Sequence, residues 1–196
     1  MRTLEGRFDD MSQIQFDVLR EVGNIGAGNA TTALAQLIGG RVEMGVPTVE
    51  LLEFKELAEV IGGAENLVVG VLLRLTGEVK GMMMFVLEKS SAKELVELLL
   101  HEDEIKEEGQ EEFSEMALSV LHEIGNIIIG AYLSSLSTLT NLKIAMSVPH
   151  MAVDMAGAIL SVPAIEFGKD DQLVSGYFIM IPDAKSYEKI LKSLGL

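Results

Sequence analysis

The sequence predicts an α+β fold made from one unit written twice. Two pseudo-two-fold halves would contribute strands to one continuous antiparallel sheet covered by helices, with two long motif-bearing helices exposed. Three observations predict it. Residues 21–47 and 123–149 align without a gap at an offset of 102, with ten identities over 27 positions, a density that marks an internal repeat. The segment GMMMFVL from Gly81, followed by a helical pattern from Glu88, is echoed by GYFIMIP from Gly176 and a helical pattern from Asp183. Finally, strand-like runs are joined by short turns such as Thr76-Gly77 and Gly168-Lys-Asp-Asp171, which favours antiparallel neighbours.

The elements follow in order. Residues 1–11 read as a loose tail, and the first repeat occupies 12–101. Ser12-x-x-Gln15 is a capping box that starts the first helix. A short Gly-containing break then leads to a second helix, Asn29 to Ile38. Strands follow at Arg41–Met44 running into Val49–Leu52, at Leu67–Leu75 and at Lys80–Leu87, before a closing helix. Residues 102–112 form an acidic, solvated linker. The second repeat, 113–196, starts at a Ser114 cap and has its own break before a helix at Ala131–Leu139. Its strands are Lys143–Met146 running into Met151–Asp154, Ala158–Glu166 and Leu173–Ile181. Both repeats are expected to form one compact domain.

Composition excludes several functions. Without cysteine there are neither disulfides nor thiolate zinc sites. A formal charge of −15 repels nucleic acid and anionic membrane surfaces. The N-terminus lacks an apolar signal core, and no apolar run reaches the ~18 residues a span needs. A cytoplasmic protein without membrane insertion is expected. Aromatics are few and Trp is absent, so the core must be aliphatic and Met-rich; Met82–Met84 fits a buried strand.

The chemistry lies on the first helix of each copy. At 100° per residue Asp17, Glu21, Asn24 and Gly28 share a stripe roughly 60° wide, and so do Ser119, Glu123, Asn126 and Gly130. Val18, Val22 and Ile25, and in the second copy Met116, Val120, Leu121, Ile124 and Ile127, form the apolar faces. A Glu with an Asn three residues on supplies a carboxylate that pairs with Lys and an amide that both donates and accepts. Such a pair can dock on a charged group and orient one water. It is poorly suited to nucleophilic catalysis, since no hydroxyl has a base partner, and no His joins it at metal-ligand spacing. One Glu-x-x-Asn on a helix means little; two in the same register mean more. Gly23 and Gly125 accept a cost of about 0.5–1 kcal/mol inside a helix, so something approaches closely there, either a partner or a packed neighbour. Pro47 and Pro149 mark an edge or a kinked strand and are structural. Asp17 and Ser119, one turn before each Glu, either help docking, orient the Glu or are merely solvated. His101, His122 and His150 share no register and are incidental.

Asp17-x3-Glu21-x2-Asn24-x22-Pro47 and Ser119-x3-Glu123-x2-Asn126-x22-Pro149 resemble the signature of the CheC/CheX/FliY family of chemotaxis phosphatases. The doubled motif in a chain of this length is most similar to the CheC branch. The resemblance implies removal of the phosphoryl group from phosphorylated CheY, with Glu21, Asn24, Glu123 and Asn126 as the functional residues. It implies no cofactor in this chain, with Mg2+ on the CheY partner, and a second role in binding CheD. Asn would orient the attacking water and Glu would dock on the partner's Lys. A CheD-binding regulatory module and a FliY-like switch component are the alternatives.

Overall fold

The computed structural model describes residues 13–42, 49–50, 54–100, 113–167, 174–175, 178–182 and 184–195. In chain order the elements are α1 (Gln13–Ile38), β1 (Val49–Glu50), α2 (Phe54–Val60), β2 (Leu67–Gly77), β3 (Gly81–Glu88) and α3 (Lys89–Leu99). The second half gives α4 (Glu115–Thr140), β4 (Ile144–Met146), β5 (His150–Met155), α5 (Ala156–Phe167), β6 (Val174–Ser175), β7 (Phe178–Pro182) and α6 (Ala184–Ser193). Ser12, Pro47, His101 and the linker at 102–112 lie outside the described residues.

All described strand pairs are antiparallel and form one seven-stranded sheet, in which β1, β6, β7, β3 and β2 are successive neighbours. The outer edge of β2 carries β5 along Leu67–Leu72 and β4 along Leu75–Gly77. The halves exchange strands: β5 from the second extends β2 of the first, and β1 from the first extends β6 of the second. At the centre, Met84 pairs with Ile179, its counterpart 95 residues on. The continuous antiparallel sheet expected from sequence is therefore present.

Both faces of the sheet are covered. On one, Val69, Val71, Leu73, Met83 and Phe85 pack with Val22 and Ala30 of α1, Ala92 and Val96 of α3, Leu121, Ile124 and Ile128 of α4 and Ile190 of α6. On the other, Val68, Met84 and Val86 meet Leu57 of α2, Ile61 just after it, and Ala156, Ile159 and Leu160 of α5. Every residue of β3 from Gly81 to Leu87 is consequently buried, which accounts for a strand without polar alternation. Met82, Met83 and Met84 are core residues, each at most 1% exposed.

Four expectations are corrected. First, α1 and α4 are unbroken, 26 residues each, where Gly-containing breaks were expected before Asn29 and Ala131. A helical Gly costs only about 0.5–1 kcal/mol, less than α4 recovers by burying eleven residues along its length. Second, Ala158–Glu166 is not a strand but part of α5, with Pro163 inside the helix. A short continuous apolar run suits a buried strand and a buried helix equally. The first backbone donors of α5 are satisfied by the loop before β2: Ala156 N–H donates to Asn66 O at 2.8 Å and Gly157 N–H to Ala64 O at 2.9 Å. Its counterpart in the first half, α2, went unpredicted. Third, Leu173–Ile181 is not one strand; β6 and β7 pair with each other as Val174↔Ile179 and Ser175↔Phe178. Fourth, Ile25 and Met116, assigned to the apolar faces, are 37% and 53% exposed.

Helix ends follow local chemistry. Ser114 caps α4 by accepting from Ala117 N–H at 3.2 Å, as expected. Gly39 takes a left-handed φ of 67° at the end of α1, and Gly40 N–H donates back to Ala35 O at 3.2 Å, a Schellman-type closure. By length and mean hydropathy α4 passes for a membrane-spanning helix, although it holds no unbroken apolar run of that length; here it lies against the sheet and α1.

Candidate functional site

The two motif helices are held by unlike contacts. Tyr132 of α4 lies against α1 so tightly that a β-carbon on Gly26 would sit 2.6 Å from its ring. Asn29 Nδ2 donates to Ser135 Oγ at 2.7 Å across the same interface, and Ser135 Oγ donates to Ala131 O at 2.9 Å. On the sheet side, a β-carbon on Gly125 would meet the Val71 side chain at 2.7 Å. The glycine of the second motif is thus explained by helix–sheet packing, one of the two alternatives left open by sequence. Gly23 is buried as well.

With the glycines turned inward, the motif stripes face out. Glu21 and Glu123 are exposed; Asn24 and Asn126, one turn on, are half-buried. Neither Asn is fully buried as a residue. Ile25 is exposed beside Asn24, and Ile127 is half-buried beside Asn126, so each pair has an apolar flank. Among the described residues, Asn24 Oδ1 is the one buried side-chain polar atom without a hydrogen-bond partner. An unpaired buried acceptor costs about 1–3 kcal/mol. Among the described residues nothing recovers that cost.

Among the described contacts, neither accessory residue bonds a motif carboxylate. Asp17 accepts from Gln13 Nε2 at 3.3 Å and pairs with Arg20 at 3.5 Å. Ser119 Oγ donates to Glu115 O of its own helix at 3.0 Å. Their described contacts are those of solvated helix residues. Pro149 lies in the interruption between β4 and β5, as a proline on a sheet edge should. His122, set aside as incidental, bonds the carbonyl of that proline through Nε2 at 3.1 Å. Sequence reasoning missed this link because its partner is 27 residues away and is a backbone atom. No cluster of three or more metal-ligating side chains occurs among the described residues.

The arrangement offers two protruding carboxylates, each with an amide one turn further along the helix. It can enter a cleft in another molecule, pair with a cation there and hold a water.

The CheC-like family model matches residues 14–51 and 116–151, once around each Glu-x-x-Asn pair. The chain is 36% identical over 206 residues to the CheY-P phosphatase CheC of Bacillus subtilis (strain 168), covering 96% of this chain and 97% of that protein. The flagellar motor switch phosphatase FliY of the same strain is 27% identical over 143 residues, covering 73% of this chain and 36% of FliY. The crystal structure of Thermotoga maritima FliY superposes with a TM-score of 0.71 at 21% identity, covering 95% of this chain and 98% of that one, and so shares the fold.

Proposed function

The chain belongs to the CheC-like family, and from that footing we propose that it is a phosphatase for phosphorylated CheY, working through Glu21–Asn24 and Glu123–Asn126. The observation that carries the reading is the pairing, on both long helices, of an exposed Glu with a half-buried Asn three residues later. The 36% identity to a CheY-P phosphatase over nearly the whole chain supports the choice of substrate.

The bond to be broken joins phosphorus to a carboxylate oxygen of an aspartate on the partner. Phosphoryl transfer needs positioning and charge stabilisation more than covalent help. In this reading Glu21 or Glu123 pairs with the partner's Lys and seats the helix. The Asn amide holds one water in line with the scissile P–O bond. The water oxygen bonds to phosphorus, the aspartate leaves as carboxylate, and the water's proton ends on the released inorganic phosphate. Mg2+ belongs to the partner's site and supplies charge neutralisation there. No general base on this chain is required in this reading.

Phosphate release from phosphorylated CheY tests the proposal. Asn24→Ala and Asn126→Ala should each remove one site's contribution, and the double variant should fall by about 100-fold, the order associated with a misplaced reactant. Wild-type turnover in the double variant would exclude the water-holding role. Binding of CheD, which the family resemblance implies, should survive the double substitution in a pull-down assay, because CheD binding does not use the water.

A further inference from the structure

The edge of the sheet beside α4 contains a bulge. Leu75 pairs with Met146 and Leu72 with His150, so Leu73 and Arg74 of β2 face three residues, Ser147, Val148 and Pro149. The backbone groups around the bulge are accounted for in an unusual way. Arg74 N–H donates to Ser147 Oγ at 3.0 Å, and Ser147 N–H donates to Arg74 O at 2.9 Å. Pro149 has no N–H to offer the ladder. Its carbonyl is engaged by His122 Nε2, 3.1 Å away on α4. The carbonyl can only accept, so Nε2 carries the proton.

This bond joins the sheet edge to the residue immediately before Glu123. In the first half, the position 102 residues earlier is Arg20, which pairs with Asp17 on its own helix. Elsewhere α4 meets the sheet through apolar surfaces such as Gly125 against Val71, and apolar contacts are non-directional. A hydrogen bond has a preferred angle and length. It therefore adds a directional restraint on the rotation of α4 at the turn that carries Glu123, about three turns before the Asn29–Ser135 bond that restrains the same helix further along. Glu123 leaves the helix about 100° from His122, so that rotation sets where its carboxylate points.

We propose that His122 is a positioning residue for the second site: through Pro149 it holds α4 at the rotation that presents Glu123 to the partner. The inference rests on the reading of Glu123 as the docking carboxylate. It gives the proline of the second motif a function, since the residue that interrupts the edge strand also presents the carbonyl that His122 grips.

The test uses the full chain carrying Asn24→Ala, so that turnover of phosphorylated CheY runs through the second site. On that background His122→Ala should raise KM about fivefold, the order expected for one lost hydrogen bond, with a smaller change in kcat. His122→Gln places an amide donor at the same number of bonds from the backbone and should restore most of the loss. Unchanged KM in His122→Ala would overturn the inference. So would a loss confined to kcat, or a loss that Gln fails to restore when both variants melt at the parent's temperature. If the Asn24→Ala parent itself is inactive while Asn126→Ala is active, the reading of the second site fails, and the inference falls with it. An inactive wild type would instead refute the proposed function.

Discussion

Asn24 and Gly125 occupy neighbouring positions of the same motif in its two copies, and opposite demands act on them. The Asn24 amide oxygen is buried and unpaired, a cost with no return among the described residues. Asn24→Ala should therefore cut first-site turnover without lowering the melting temperature, which separates a residue kept for function from one kept for stability. A clear drop in melting temperature would contradict this. Gly125 is the reverse. Ala favours the helix by about 0.8–1 kcal/mol in isolation, yet its β-carbon would press into Val71. Overpacking of that kind costs about 1–3 kcal/mol. Gly125→Ala should therefore lower the urea midpoint, and a raised midpoint would show that Val71 yields more readily than the structure implies.

At the scale of elements, the α1–α4 interface is the joint on which both sites depend. Tyr132 fills it, and burial raises its phenol from 10.0 to about 12. The sign follows from linkage: above pH 10 the unfolded chain releases this proton and the folded chain does not. Stability should be fully present below about pH 10 and decline as pH rises towards 12, by about 2–3 kcal/mol in all. Urea unfolding between pH 9 and 12 measures it. Tyr132→Phe should flatten that decline, and an equally steep decline in the variant would remove Tyr132 as its source. The same interface explains why α1 and α4 run unbroken through their glycines. A Gly-rich segment read alone suggests a break, but packing against a second helix supplies more than the propensity loss.

For the whole molecule, strand exchange makes the halves interdependent. Residues 12–101 made alone would leave β2 without β4 and β5, and β3 without β7. Such exposed edges invite association. The isolated half should aggregate or remain unfolded, and co-expression with residues 113–196 should recover soluble complex; size-exclusion chromatography distinguishes the outcomes. A monomeric, cooperatively folded 12–101 would show that exchange is dispensable. The charge of −15 belongs to this scale too. It offers no long-range pull towards an acidic phosphoryl site, so under the proposed mechanism docking would depend on the Glu–Lys pair and the apolar flank at Ile25.

The sequence alone determined the duplicated motif, the stripe that brings Glu21 with Asn24 and Glu123 with Asn126 to one helix face, the Ser114 cap and the buried Met82–Met84 strand. These depend on fixed helical or strand periods, or on contacts within a few residues. Only the tertiary structure decided that Ala156–Phe167 is a helix, that the halves trade edge strands, that Gly125 yields space to Val71 and that His122 reaches Pro149. Each of those depends on partners distant in sequence. A short apolar run has no period long enough to declare itself, and a hydrogen bond to a backbone carbonyl leaves no trace in the identity of the residue that accepts it.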